Sequence, residues 1–226
     1  PPRSTLFPYT TLFRSVADVA QGMTLTLNQT LTHDAALGGT PDGGLVKLGA
    51  GTLAINNDQS YTGPTIISGG VLRVRGTLAV TNLTLSGGTT LSLTNGVHQF
   101  FAPSALAAGD DSAPARIELD VAADGSAYDA VALPNGAGVK LTLALFRTGT
   151  ALRFSRPGRY PLVTFGGSAP DTSSWSVEDS AGTASFETEG STVYVRIGTA
   201  SANVSVWTNA VGGAWATAGK IGRAHV

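Results

Sequence analysis

Residues 43–74, GGLVKLGAGTLAINNDQSYTGPTIISGGVLRV, carry the clearest structural pattern in this chain. The stretch contains four short apolar runs, each bounded by glycine or by a cluster of Asn and Asp. The runs are Leu45–Leu48, Thr52–Ile55, Thr65–Ile67 and Val71–Val74. Strands of about four residues are shorter than the average of about five to six and cannot close a two-layer core alone. They become stable when coils stack and each strand pairs with its equivalents above and below, so the stretch predicts one unit of a β-solenoid.

The same stretch resembles a known repeat. Its pattern, G-G-L-x-K-x-G-x-G-T-L-x-(L/I) followed by Y-T-G-x-T-x-(I/V)-x-x-G-x-L-x-V, is similar to the autotransporter-associated β-strand repeat. The matching residues are Gly43, Gly44, Leu45, Lys47, Gly49, Gly51, Thr52, Leu53, Tyr61, Thr62, Gly63, Thr65, Gly69, Gly70, Leu72 and Val74. Pro64 departs from the pattern, which usually has a glycine there. The resemblance implies a large secreted or surface-displayed bacterial passenger protein in which these residues have a structural role.

The two ends of the chain carry a different signal. Residues 1–15 and 221–226 back-translate, codon for codon, into the two adapters that flank a sequencing insert. We therefore interpret both segments as adapter-derived and exclude them from the fold. On this interpretation the protein is an internal fragment that runs from residue 16 to about residue 220.

Composition favours many short strands joined by tight turns. Only 13% of the residues are charged, about half the usual share, while 42% are hydrophobic and 29 of 226 are glycine. The net charge of −1 and the lack of a Lys/Arg cluster argue against a nucleic-acid partner. No apolar run approaches the roughly 18 residues of a membrane helix, so we expect no membrane insertion of this fragment. With no cysteine, the chain forms neither disulfides nor thiolate metal sites.

Strand signals continue on both sides of the repeat. Residues 23–27 alternate apolar and polar side chains, which predicts a half-buried strand. After Val74 the strands begin every six to seven residues, which predicts coils of roughly twenty residues. The strands expected there are residues 77–80, 83–85, 90–93 and 97–101. Asn95-Gly96 is alternatively a hairpin turn, but we favour the coil because the spacing continues across turns of other chemistry.

The second half of the chain begins with a break. Residues 103–114 are small and acidic, and we expect an exposed loop and a domain boundary there. Longer, more regularly alternating strands follow, predicted at residues 116–121, 128–133, 139–146, 160–165, 175–177, 184–186 and 192–197. Through Gly125, Tyr128 and Asp129 this part resembles the segment that follows the repeat in such passengers. It is either a wider continuation of the solenoid or a capping sandwich. Residues 201–220, with Trp207 and Trp215, resemble the opening of a further repeat.

Two groups of carboxylates are candidates for chemistry. The acidic residues concentrate at Asp110, Asp111, Asp120, Asp124 and Asp129. Carboxylates are ligands for calcium, but their spacing fits no calcium loop, so we favour a solvated turn between two strands. A polysaccharide-processing site needs two carboxylates flanking a groove. Asp34, Asp42 and Asp58 could meet across coils, but each lies in a turn context, and a turn role is favoured.

The remaining candidates favour structural roles. His33 and His98 are too isolated for a metal site or a proton relay. Nucleophile-elbow, P-loop and dinucleotide-binding motifs are not found in the sequence. Tyr61, Trp175, Trp207 and Trp215 are candidate sugar platforms, but they fit packing within the coil stack at least as well. We therefore assign no catalytic, cofactor-binding or metal-binding residue.

Together these observations predict an all-β fold: a right-handed parallel β-helix over residues 16–105 and a β-rich continuation or cap over residues 106–200. The functional hypothesis is a secreted or cell-surface bacterial passenger fragment with a structural or adhesive stalk role and no enzymatic activity. Its expected partners are surface glycans or the surface of a host or neighbouring cell. The alternative is a carbohydrate-binding or polysaccharide-processing β-helix module.

Overall fold

The fold is almost entirely β-structure. A computed structural model describes residues 14–78, 82–178 and 184–199, and these ranges contain seventeen strands and two short 3₁₀ turns, Ala35–Leu37 and Thr172–Ser174. The strands are β1 Ser15–Asp18, β2 Thr24–Leu27, β3 Leu45–Leu48, β4 Thr52–Ile55, β5 Thr65–Ile67, β6 Val71–Val74, β7 Asn82–Leu85, β8 Thr90–Ser92, β9 Phe100–Phe101, β10 Ala105–Ala108, β11 Ala115–Val121, β12 Ala130–Leu133, β13 Leu141–Arg147, β14 Gly158–Phe165, β15 Ser176–Glu178, β16 Ala184–Glu189 and β17 Thr192–Ile197.

The strands form three sheets that run along a common stack. The first sheet has the order β1-β3-β5-β7-β10 and the second has the order β2-β4-β6-β8-β11-β13-β15. Every pairing in these two sheets is parallel, and each strand pairs with the equivalent strand one coil away. The third sheet has the order β9-β12-β14-β17-β16. The predicted all-β parallel solenoid is confirmed.

The third side of the stack develops gradually along the chain. In the first coils it consists of isolated parallel bridges, which pair Thr32 with Ser60 and Gln59 with Leu78. From β9 onward it becomes a sheet, in which β9, β12 and β14 pair in parallel. The coils up to β12 are therefore three-sided, whereas the first sheet ends at β10 and only the other two sheets continue beyond it.

A column of aliphatic side chains fills the interior behind the second sheet. Leu53 pairs in register with Leu72, and Leu72 with Leu91, so the position recurs every 19 residues in the repeat region. The full column consists of Leu25, Leu53, Leu72, Leu91, Ile117, Leu143 and Val177. Its five central members are 0–2% exposed, whereas Leu25 at the first coil is 49% exposed. Each buried side chain of this kind contributes roughly 1.5–3 kcal/mol before entropy offsets.

The second half of the chain combines both alternatives that the sequence leaves open. β11, β13 and β15 extend the second sheet in parallel beyond residue 105. In the third sheet, by contrast, β17 pairs antiparallel with both β14 and β16. The second sheet therefore continues the parallel stack, whereas the third sheet ends in an antiparallel meander. The predicted domain limits themselves stay predictions, and the further repeat predicted over residues 201–220 lies outside the described residues.

The structure corrects several predicted elements. Residues 103–114 are not simply a loop, because Ala105–Ala108 forms β10 and pairs with β7. Alanine is a weak strand former, so the signal for β10 comes from its partner and not from its own sequence. Of residues 97–101 only Phe100–Phe101 is strand. β1 was not predicted, and it begins at Ser15, a residue that we had excluded from the fold, whereas in the structure its pairing with β3 completes the first coil. The favoured coil at Asn95-Gly96 is confirmed, since β8 pairs in parallel with β6 and β11.

Candidate functional site

The glycines of the repeat lie where corners of successive coils stack directly on one another. Gly44 has φ = +80°, and a side chain on Gly63 would place its Cβ 2.1 Å from the Asp42 carbonyl oxygen and 2.4 Å from the Gly44 nitrogen. The other corner is equally close, because a Cβ on Gly51 would lie 2.2 Å from the Ala20 carbonyl oxygen. These glycines therefore permit backbone-on-backbone stacking that any side chain would prevent.

We expect Gly63→Ala to destabilise the coil stack by roughly 1–3 kcal/mol, because the clash is with backbone that cannot rotate away. Gly39→Ala is the matched control, since a Cβ there meets nothing within 4 Å and Gly39 does not have a positive φ. Urea unfolding followed by circular dichroism measures both variants. Equal midpoints for Gly63→Ala and Gly39→Ala would contradict the close stacking of these corners.

Lys47 is buried inside the coil. It occupies the same position as Ala17 and Ile67 on the neighbouring coils, and it is 0% exposed. Its ammonium donates to three carbonyl oxygens at the corner: those of Leu48 at 2.5 Å, Gly49 at 2.8 Å and Gly69 at 3.1 Å. Burial lowers the pKa of Lys47, and the nearby Asp18 carboxylate acts in the opposite direction. Since Gly69 belongs to the next coil, Lys47 joins two coils through one side chain.

The aromatic candidates that the structure describes are packing residues. Tyr61 is 4% exposed, and its hydroxyl lies 2.6 Å from the hydroxyl of Thr65. Burial raises the pKa of Tyr61 to about 12. The Trp175 indole donates to the Val139 carbonyl at 2.7 Å and packs edge-on against Phe186. Neither ring is presented to a ligand; Trp207 and Trp215 lie outside the described residues.

A polar clamp joins the loop after β2 to the following coil. Asp42 accepts hydrogen bonds from the backbone N–H and hydroxyl of Thr62, at 2.8 and 3.0 Å, and its carboxylate lies 3.0 Å from His33 Nδ1. Burial acts to raise the pKa of Asp42, but the hydrogen bonds from Thr62, Asp34 and His33 outweigh it and lower this pKa to about 2. The Asp42 side chain raises the pKa of His33. Asp34 caps the 3₁₀ turn, and Asp58 accepts from the Thr77 backbone N–H at 2.7 Å.

The acidic concentration divides into two groups. Asp110, Asp111 and Asp124 are exposed, and Asp124 accepts from Ser126 within its own turn. Asp120 and Asp129 are only 1% and 0% exposed, so the expected solvated turn is wrong for these two. Asp129 accepts from the backbone N–H groups of Gln99 and Asp120, at 2.8 and 2.6 Å. Asp120 accepts from the Gly96 N–H at 2.8 Å. Among the described residues, these carboxylates belong to no cluster that could hold a metal ion.

Asp129 predicts a pH-dependent stability. Burial raises the pKa of Asp129 to about 7, despite the opposing N–H groups of Asp120 and Gln99. Because this value lies above the unfolded value of about 3.9, its stabilising contribution is complete below about pH 4 and is lost as pH rises through about 7. We expect the free energy of unfolding to be lower at pH 8.5 than at pH 5, by on the order of 2–4 kcal/mol.

Urea unfolding at the two pH values measures this difference. Asp129→Asn is expected to flatten the pH dependence, while Asp124→Asn, at the exposed turn, leaves it unchanged. The pKa values of His33 and Asp120 are also raised, so both groups contribute with the same sign, and both are retained in the two variants. Equal stability of the wild-type chain at pH 5 and pH 8.5 would contradict the buried, proton-binding state of Asp129.

A polar groove, here termed the corner groove, runs along the ends of the strands of the second sheet. Its volume is about 550 Å³. Residues from four successive coils line it, because the corners that follow β6, β8, β11 and β13 stack above one another. Its principal side chains are those of Arg73, Arg75, Asn95, Glu118, Asp120 and Phe146. Residues up to 78 positions apart in sequence meet here, so sequence reasoning did not identify the groove.

The geometry thus defines a class of protein: a three-sided parallel β-solenoid whose repeat residues form the corners and core of stacked coils. Within that class, residues 45–74 match the model of the passenger-associated-transport-repeat family. This match confirms the resemblance to an autotransporter passenger repeat and falls on β3 to β6. No curated protein is significantly similar to the chain. In the described ranges, the structure contains no helix of the length and hydropathy needed to span a membrane.

Proposed function

We propose that this chain is a structural, stalk-forming part of a secreted or surface-displayed bacterial passenger protein. The observation that carries the proposal is the unbroken aliphatic column behind seven parallel strands, together with the passenger repeat at residues 45–74. In such a stack each coil is fixed by backbone ladders to the coils on both sides. A segment of this kind resists local opening and holds its two ends at a fixed distance from each other.

We further propose that the stalk has no catalytic activity of its own. The carboxylates that were candidates for chemistry are engaged in holding backbone: Asp42 binds the Thr62 N–H, Asp58 the Thr77 N–H, and Asp129 the Gln99 N–H. An adhesive role would be exercised by the outer surface of the coils, toward glycans or another cell.

Limited proteolysis combined with a sugar-release assay tests this function. We expect native chain at 25 °C to yield a protease-resistant core that contains β1 to β17, and to release no reducing sugar from a panel of polysaccharides. Leu53→Asp is the control, because it should render the same core sensitive to protease. Rapid digestion of the native core would contradict the stalk role. Catalysed release of sugar would contradict the absence of activity and favour a polysaccharide-processing module.

A further inference from the structure

The corner groove has the dimensions of a ligand site. Its volume of about 550 Å³ falls within the roughly 300–1,000 Å³ that is usual for small-molecule sites. One side is formed by Arg73 and Arg75 at the end of β6, and the other by Glu118 and Asp120 of β11. The two sides are held at a fixed separation, because β8 lies between β6 and β11 and pairs with both.

The carboxylates of the groove are already engaged, whereas its guanidinium groups are not. The Glu118 carboxylate pairs with the Arg116 guanidinium, and the Asp120 carboxylate accepts from the Gly96 N–H at 2.8 Å. The guanidinium groups of Arg73 and Arg75 make neither an ion pair nor a hydrogen bond with any residue in the described part of the chain. Each offers five N–H donors in a planar fork that matches a carboxylate. Among the described residues, the hydrogen-bond donors that remain free in the groove are therefore those of two guanidinium groups, and they favour an anionic ligand.

The far end of the groove suits a sugar ring. Phe146 lines the groove, and the Arg153 guanidinium lies over one face of its ring, 4.4 Å from the ring centre. Thr94, Asn95 and Thr150 add hydroxyl and amide groups that can bind sugar hydroxyls. An aromatic ring surrounded by such groups fits a ligand that has both a C–H face and many hydroxyls.

We propose that the corner groove binds an acidic saccharide. Its carboxylate pairs with Arg73 and Arg75, and its sugar ring lies toward Phe146. This goes beyond the stalk role, since a stalk requires no ligand.

Calorimetric titration of the full chain with a galacturonic acid hexamer tests the site. The fully methyl-esterified hexamer is the matched ligand, because esterification removes the charge and leaves the sugar rings. We expect saturable binding of the acid that weakens with salt, and binding at least tenfold weaker for the ester. The double variant Arg73→Gln, Arg75→Gln should bind the acid at least tenfold more weakly than the wild-type chain does. Arg156→Gln, at an exposed arginine outside the groove, should bind as the wild-type chain does.

Three results would each overturn the proposal: no binding of the acid, equal binding of acid and ester, or full binding by the double variant. The double variant should keep the wild-type melting temperature and protease resistance, because neither arginine side chain bonds to the described fold. Lack of binding by a chain that remains protease-resistant would refute the saccharide site and leave the stalk role intact.

Discussion

Leu53→Asp is expected to unfold the chain. Leu53 is 2% exposed and lies in the aliphatic column between Leu25 and Leu72. A carboxylate at this position has no partner, and burying an unpaired charge costs several kcal/mol in addition to the lost apolar contacts. Domains of this size are stable by only about 5–15 kcal/mol. Far-UV circular dichroism should therefore show loss of the β signal and no cooperative melting transition.

The same column contains its own control. Leu25 pairs with Leu53 but lies at the first coil and is 49% exposed. Leu25→Asp leaves the new carboxylate largely in water, so we expect the melting temperature to fall by only about 2–4 °C. Leu53→Ala should fall between the two, with a loss of about 2–5 kcal/mol. A Leu53→Asp chain with the wild-type β signal and melting point would rule out a continuous core.

Lys47→Met is expected to cost about 2–5 kcal/mol of stability. The methionine keeps the aliphatic stem in the interior but leaves the carbonyl groups of Gly49 and Gly69 without the ammonium donor. Each buried carbonyl without a partner costs about 1–3 kcal/mol. Removal of the buried charge offsets part of this loss, since the ammonium no longer has to be desolvated. We expect the unpaired carbonyls to dominate, because the charged neighbour of the ammonium, the Asp18 carboxylate, is exposed and stays solvated when the ammonium is removed.

Lys140→Met is the matched control for this change. Lys140 is partly exposed and its ammonium lies 2.7 Å from the fully exposed carboxylate of Asp111. Surface pairs of this kind contribute about 0–1 kcal/mol, so the unfolding midpoint should hardly change. Equal midpoints for Lys47→Met and Lys140→Met would show that the ammonium does not hold the corner together.

The fold of the repeat was predictable because its strands are punctuated by glycine. The bounds of β3 to β6 are those predicted, since the glycines that end each run also permit the corners to stack. β10 was missed because its alanines carry no strand preference, and only pairing with β7 makes it a strand. The local sequence pattern therefore predicts strands that are bounded by glycine. It does not predict strands that form only because they pair with a neighbouring coil.

The buried polar residues were harder to predict. Lys47 has the same parity as Leu45 in its strand and points inward with it, although lysine is almost never fully buried unless it is paired. Asp120 and Asp129 were expected to be solvated because their sequence is typical of a turn. Their burial depends on backbone N–H groups of Gly96 and Gln99, which belong to the preceding coil. These partners come from a neighbouring coil. The sequence of one strand and its turn is therefore not sufficient to predict that the two carboxylates are buried.

The stacking of coils is tested most directly by distances between spin labels along the second sheet. Because the chain lacks cysteine, each double cysteine variant gives one labelled pair. The two double variants are Thr24→Cys with Ser176→Cys and Thr52→Cys with Ser176→Cys. Thr24, Thr52 and Ser176 occupy one register column on β2, β4 and β15. Six strand spacings of about 4.8 Å predict roughly 29 Å for the first pair, and five predict roughly 24 Å for the second. The predicted result is two narrow distance distributions whose means differ by one strand spacing. Broad distributions, or means whose difference does not match one strand spacing, would contradict the solenoid.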